Sequence, residues 1–270
     1  MHFESKILDV TLEKKKIHFI PDVVYSQVAT LEKPNQLLQM DILQPQLSEK
    51  IPVIIFVTGG GFISANRARM LQLRLKLAEN NYFVASINYR TIPNSKFPAP
   101  IEDVKSAVRF IKANADRFNV DKDNISVIGD SAGGYLTSFV AITNGTRKFD
   151  VGDNLDQTSE ILSAVDLYGV VDISDIRGFP EMLQSLNVPI EATNPIKYIT
   201  KKSAPMLIMH GTNDDIVSPR QTDLLFQSLK EYGIETERYL IPKAAHSDDY
   251  WIQDEVFNII ISFFDKYSKI

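Results

Sequence analysis

Val127-Ile128-Gly129-Asp130-Ser131-Ala132-Gly133-Gly134 is the stretch on which the reading of this chain turns. It holds the pattern Gly-x-Ser-x-Gly, in which a strand stops at a sharp turn and a helix starts at once. The serine at the tip of such a turn is held in a strained conformation with its hydroxyl exposed. The residues two places either side must be small, because strand and helix backbones nearly touch there. Gly129 and Gly133 fill those places. The flanks agree: Ile125-Ser126-Val127-Ile128 is a short apolar run suited to a buried strand, and Leu136, Phe139 and Val140 follow at helical spacing. Alone, the pattern is weak, since any glycine-rich turn can produce it; strand before and helix after give it weight.

The 270 residues are enough for one large domain with a substantial core, and residues 1–270 are read as a single unit. Hydrophobic residues make up 44% and charged residues 23%, the balance of an ordinary globular protein. A formal net charge of −5 argues against nucleic acid as a partner. With no cysteine, disulfides and thiolate metal sites are excluded, and the four scattered histidines form no metal-ligand cluster. Neither a metal nor a cofactor is expected. The polar start Met1-His2-Phe3-Glu4-Ser5-Lys6 lacks the apolar core of a signal peptide, and no apolar run reaches membrane-spanning length. A cytoplasmic location with no membrane partner is the resulting expectation. The oligomeric state stays open, a homodimer among the options.

Outward from the serine, the chain alternates strands and helices. Residues 6–43 read as strands and turns, with Ile7, Asp9 and Thr11 alternating with Leu8, Val10 and Leu12, an antiparallel entry to a sheet. Val53–Val57 is an apolar run of buried-strand type, Phe83–Ile87, Leu162–Tyr168 and Met206–His210 are further strands, and Thr236–Ile241 is the last. Residues 66–79 fit either period; their composition favours a helix with Ala68, Leu71, Leu75 and Ala78 inward and Arg67, Arg69, Arg74 and Lys76 on its wet side. Ile101, Val104, Val108, Ile111, Ala115 and Phe118 mark the clearest helix, Ser218-Pro219 opens another, and Ile252 to Phe263 closes the chain with a third. The class is therefore α/β, a mostly parallel central sheet with helices on both faces. Val170 to Lys202 has no plain period and is expected to cross the top of the sheet as a lid or insertion over the site. Its bland alternative is a surface decoration.

A serine hydroxyl needs a base to take its proton, and the base needs a carboxylate to orient it. On folds of this kind the chain order is serine, acid, histidine. Beyond Ser131 only His210 and His246 remain. His246 lies in a loop between the last strand and the last helix, where its ring can reach the serine, and is the predicted base. His210 ends a strand and is read as structural. The acid falls in the following loop, where Asp214 and Asp215 are adjacent and spacing does not separate them. The oxyanion of acyl transfer needs N–H donors, expected from Ala132 and from the glycine run 59–61. That run lacks a following Lys-Ser/Thr, so a nucleotide phosphate site is disfavoured. Phe62 and Ile63 beside it, with Phe179 in the insertion, are the expected substrate-binding side chains. Core packing is the rival role for each.

Thr58-Gly59-Gly60-Gly61-Phe62, Asn88-Tyr89-Arg90, Phe97 to Val104, Gly129 to Gly134 and His210-Gly211-Thr212-Asn213-Asp214 together resemble the bacterial hormone-sensitive-lipase-like carboxylesterases of the α/β-hydrolase superfamily. They resemble equally the neighbouring esterase and feruloyl-esterase group. The resemblance runs from about residue 36 to the C-terminus. It implies the α/β-hydrolase fold, Ser131 as nucleophile, His246 as base and, from the His-Gly-x-x-Asp pattern, Asp214 as acid. It also implies Gly60, Gly61 and Ala132 as oxyanion donors. The expected activity is hydrolysis of a small-molecule ester, short-chain or aryl, through an acyl-enzyme. Feruloyl esters, or an aryl amide, formamide or short peptide, are the alternatives; a catalytically inactive binding protein is the remote one. Thr58 departs from the histidine usual before the glycines, which puts the detail of that loop in question.

Overall fold

The computed structural model describes residues 5–176 and 188–268. Eight strands carry it: β1 (Ile17–Val28), β2 (Gln36–Pro45), β3 (Ile51–Val57), β4 (Phe83–Ile87), β5 (Val120–Asp130), β6 (Ala164–Leu167), β7 (Met206–Gly211) and β8 (Thr236–Ile241). They form one sheet in the order β1-β2-β4-β3-β5-β6-β7-β8. Pairing is antiparallel through β1, β2 and β4 and parallel from β4 to β8. The mostly parallel sheet with an antiparallel N-terminal entry is thus the architecture found.

The buried apolar runs behave as sheet centres because alternate side chains supply two cores. In β3, Val53, Ile55 and Val57 join one core and Ile54 and Phe56 the other. The first core is covered by α2 (Ala99–Ala113), α4 (Ala132–Ile142) and α5 (Arg220–Glu231). The second is covered by α1 (Leu71–Glu79) and α6 (Asp254–Tyr267). The short α3 (Ala115–Phe118) follows α2 after a break at Asn114. Helix α4 is buried on every side, which suits its apolar sequence. No helix among the described residues is long and apolar enough to cross a membrane.

Three expectations are corrected. Residues 5–16 form no strand, and Ile7, Leu8, Val10 and Leu12 are exposed; alternation makes a strand only where a neighbour takes up its hydrogen bonds. In α1 the inward face is Leu73, Arg74, Leu77 and Ala78, while Leu71 and Leu75 face out. The charges there are not simply a wet side. Arg74 is buried, with its Nε donating to the Arg69 carbonyl, Arg67 pairs with Asp22 and Asp41, and Arg69 pairs with Asp130.

The Asn-Tyr-Arg stretch after β4 is a knot of tertiary bonds. The Asn88 side chain accepts from the Gln39 amide, and the Tyr89 hydroxyl donates to the Thr58 carbonyl at 2.8 Å. The Arg90 guanidinium grips Asp103 on α2 and reaches Glu102. These contacts join strand ends to the first turn of α2 and fix the loop that follows β3.

Of the segment 170–202, residues 170–176 and 188–202 are described. Short helical turns at Ile173–Asp175, Ile190–Thr193 and Pro195–Tyr198 organise them. Gln221 on α5 accepts from the amides of Val171 and Asp172 and so pins the start of the segment. Phe179 lies outside the described residues.

Candidate active site

The loops that follow β3, β5, β7 and β8 gather at the C-terminal edge of the parallel strands, where ligands bind in open α/β sheets. Ser131 sits between β5 and α4 with φ 53° and ψ −118°, a left-handed φ that a serine adopts only when its surroundings force it. Its amide donates to the Leu167 carbonyl at 2.9 Å, which hooks the turn onto β6. A Cβ on Gly129 would stand 2.3 Å from the Gly133 carbonyl oxygen, and one on Gly133 would stand 2.0 Å from that of Val57. Both positions therefore need glycine.

The structure brings Ser131, His246 and Asp214 into one hydrogen-bonded line. His246 Nε2 lies 2.9 Å from Ser131 Oγ, and His246 Nδ1 lies 2.7 Å from Asp214 Oδ2. A carboxylate only accepts, so Nδ1 carries the hydrogen and Nε2 is free to accept from the serine hydroxyl. Burial would raise the Asp214 carboxyl, but hydrogen bonds from His210, His246 and the Val217 amide outweigh it and hold it well below the usual carboxylate range. Its other oxygen takes the amides of Val217 at 2.8 Å and Ile216 at 3.0 Å. Asp215 is exposed. His210 is buried, with Nε2 2.8 Å from the Val217 carbonyl and 3.2 Å from Asp214 Oδ2, and Nδ1 3.0 Å from Thr222 Oγ1. The carbonyl can only accept, so Nε2 donates, and His210 braces the loop that bears Asp214.

The loop carrying His246 is fastened on several sides. Trp251 Nε1 donates to the Ala245 carbonyl, the Ala245 amide to Asp248, and the Asn213 amide to the Ala244 carbonyl. The Tyr168 ring packs edge-on against the His246 ring, centroids 4.8 Å apart, and against Trp251 at 4.3 Å. These contacts fix the imidazole plane without touching its nitrogens.

Gly60 and Gly61 take φ 146° and 60°. The Gly60 carbonyl accepts from Ile63 and Ser64, turning the loop back on itself. The Gly59 amide donates to Asp130 Oδ1 at 2.7 Å. With Thr58 buried and its carbonyl held by Tyr89, this loop is braced without a histidine. Ala132 is the first residue of α4, so its N–H belongs to the helix start that lacks intrahelical acceptors and carries partial positive charge.

Beside the serine turn lies an apolar cavity of about 30 Å³ walled by Phe62, Ile92, Phe97, Tyr135, Ile173 and Thr193 among others. Phe62 packs edge-on against Tyr135, one helical turn beyond Ser131, and the Tyr135 hydroxyl donates to the Thr193 carbonyl at 2.7 Å. Of the expected substrate-binding residues, Phe62 is in this wall; Ile63 is exposed and lies outside it.

From sequence, no role is assigned to Asp130, Ser247, Tyr168 or Tyr135, and Arg69 is placed only on the wet side of a helix. Arg69 Nη2 lies 2.7 Å from Asp130 Oδ2 and 3.2 Å from Ser247 Oγ. Asp130 and Ser247 each adjoin a predicted catalytic residue, which was the available signal. Arg69 and Tyr168 carried none, because their partners are remote in sequence.

Curated relatives include the esterase LipC of Mycobacterium tuberculosis, 28% identical over 81% of this chain and 58% of that protein. The isoprenylcysteine alpha-carbonyl methylesterase ICME of Arabidopsis thaliana is 23% identical over 83% of the chain and 58% of its own. This chain thus spans a little over half the length of these curated relatives. Among solved structures, a bifunctional GH43-CE protein of Bacteroides eggerthii superposes with a TM-score of 0.82 at 26% identity, over 92% of this chain and 35% of that one. A truncated carbohydrate esterase from gut microbiota gives 0.81 at 24%, over 96% and 99%. The sheet and helices are those of the α/β-hydrolase fold. The BD-FAE family model matches residues 40–229, from within β2 into α5 and through the turn that holds Ser131, and the chain therefore belongs to the BD-FAE family of the α/β-hydrolase superfamily.

Proposed function

We propose that this protein is a serine carboxylic ester hydrolase for small acyl groups, working through an acyl-enzyme. The observation that carries the reading is the line from Asp214 through His246 to Ser131, ending at a serine held at positive φ. Esterase relatives support the reaction class. Ser131 Oγ attacks the ester carbonyl carbon while its proton passes to His246 Nε2. Asp214 keeps the proton on Nδ1 and stabilises the imidazolium. The carbonyl electron pair moves onto oxygen, and the resulting oxyanion accepts hydrogen bonds from the amides of Ala132, Gly60 and Gly61. On collapse the C–O bond to the alcohol breaks, and Nε2–H protonates the leaving oxygen. Water then repeats the sequence on the acyl-serine, releasing the acid and restoring the hydroxyl.

The apolar cavity is the proposed acyl pocket, and residues 170–176 and 188–202, which wall it through Ile173 and Thr193, are its proposed roof. The cavity's volume of about 30 Å³ is far below the roughly 150 Å³ of a closed cavity that admits a benzene ring, which favours short acyl chains. The aromatic walls suit a flat hydroxycinnamoyl group, but the volume does not. The test is kcat/KM for p-nitrophenyl acetate, butyrate, octanoate and palmitate and for methyl ferulate, beside Ser131→Ala and a fluorophosphonate probe. Acetate and butyrate should turn over well and palmitate hardly at all, with wild type labelled and Ser131→Ala inert to both. An optimum at octanoate or longer, or ferulate matching acetate, sinks the small-pocket reading alone. Esterase activity undiminished in Ser131→Ala sinks the mechanism.

A further inference from the structure

We infer that Arg69 is a positioning residue for this reaction, locking the glycine loop, the serine turn and the histidine loop into one register. The inference rests on the ester-hydrolase reading above.

The glycine loop turns on bonds to its own Gly60 carbonyl, but its place beside the serine turn is set by contacts from other elements. Glycines at positive φ have large freedom to lose, and a misplacement of about 1 Å can cost a hundredfold in rate. What fastens this loop next to its donors is the Gly59 amide on Asp130 Oδ1. Asp130 is fully buried, and a buried carboxylate needs a partner for its charge. Arg69 supplies it on the other oxygen at 2.7 Å. The same Nη2 lies 3.2 Å from Ser247 Oγ, which accepts from it, and Ser247 directly follows His246. One guanidinium nitrogen therefore joins the carboxylate that adjoins Ser131 and holds the oxyanion loop to the hydroxyl that adjoins the base.

Arg69 can act as a fixed point because its own backbone is held. Arg74 Nε donates to the Arg69 carbonyl at 2.9 Å, and Ser86 Oγ donates to the Arg67 carbonyl at 2.8 Å. Asn66 Oδ1 accepts from the Ala68 amide, and Met70 turns into α1 at φ 50°. The buried Arg74, otherwise a strange choice for the inner face of a helix, thereby has a use. A lysine at 69 would offer a point charge on a different stem, in place of a planar fork.

The experiment measures kcat, KM and thermal midpoint for wild type, Arg69→Met, Arg69→Lys, Arg69→Ala and Ser247→Ala with p-nitrophenyl acetate. Arg69→Met should lose about tenfold or more in kcat with KM changed far less, and Arg69→Lys should recover only part of the loss. Guanidinium ion at non-denaturing concentration should raise the activity of Arg69→Ala, while sodium chloride of equal ionic strength should not. Ser247→Ala should lower kcat severalfold at an unchanged thermal midpoint. A purely structural ion pair moves the midpoint, yet leaves kcat of the folded fraction intact and gives no guanidinium rescue. Arg69→Met with kcat within twofold of wild type overturns the inference. Should that variant not fold, wild-type kcat in both Arg69→Lys and Ser247→Ala overturns it instead. The rate of fluorophosphonate labelling at Ser131 follows the same positioning without any ester. Failure of the ester-hydrolase reading shows in wild type itself, and failure of the Arg69 inference only in the variants.

Discussion

At the scale of single residues, two adjacent aspartates meet opposite fates. Asp214 turns inward to His246 and His210, while Asp215 faces solvent. Asp214→Asn should therefore lower kcat at least about a hundredfold, by the scale of tautomer effects in such triads, and Asp215→Asn should leave it nearly unchanged. The reverse pattern in steady-state kinetics excludes Asp214 as the acid. Spacing could not choose between the two, because the choice is made by His210 and the amides after the turn, all contacts of the folded loop. Asp166 gives a second residue-scale prediction. Burial lifts its carboxyl to about 6, despite bonds from Ser138 and the Gly169 amide that favour the charged form. Its folded pKa thus lies above its unfolded one. The stability it contributes is fully present below the unfolded value near 4 and is lost as pH rises through about 6. Asp166→Asn can keep both bonds, its oxygen accepting from Gly169 and its nitrogen donating to Ser138. Thermal midpoints from pH 4.5 to 8, compared between wild type and variant, should move in the variant's favour as pH rises. A difference independent of pH contradicts the assignment.

At the scale of elements, the turn between β5 and α4 owes its shape to steric exclusion. A methyl on Gly133 meets the main-chain oxygen of Val57, which cannot swing aside, whereas one on Gly152 meets nothing within 4 Å. Gly133→Ala should therefore cost about 3 kcal/mol or more and reduce the yield of folded protein. Gly152→Ala bears only the strain of φ 84° and should cost about 1–2 kcal/mol. Urea unfolding of the two variants checks the contrast, and equal costs contradict it. The elements most legible in sequence were those whose pattern has one solution. β3, β4 and β7 are short, mostly apolar runs with both faces buried, and α2 repeats its apolar residues at helical steps. α1 was legible as a helix but not as a face. Its leucines alternate, so propensity chose the helix, while burial of Leu73 and Leu77 was decided by the sheet beneath. Arg74 shows the limit most sharply, since nothing local announces that a guanidinium will be spent on a neighbouring turn.

At the scale of the whole molecule, the sheet and its two cores account for nearly everything described, and the first stretch of chain does not. Residues 5–12 lie outside the sheet with their apolar side chains in solvent. Removing them should change stability by no more than about 0.5 kcal/mol and leave ester turnover intact. A marked drop in either measurement means that this segment has a partner in solution. The sequence misjudged it because alternation records what a strand would bury, and the sheet offers it no place. The position of the functional loops was legible at this scale, since alternating strands and helices already put every loop after a parallel strand on one edge. The volume beside the serine was not, because it is what remains when Phe62, Tyr135 and the chain around Thr193 have packed.

The hydrogen bond between Ser131 and His246 spans 115 residues of chain. During synthesis the strand and helix around Ser131 are complete, and Leu167 is available to hook them, long before His246 has left the ribosome. Between the synthesis of Ser131 and that of His246, a nascent chain therefore carries the serine without its proposed base. On the proposed mechanism reactivity arrives only as the loop after β8 closes on the serine, so fluorophosphonate labelling should be absent from chains cut short before His246 and present once that loop has folded. On the proposed reaction, labelling at Ser131 then becomes a clock for the completion of this fold.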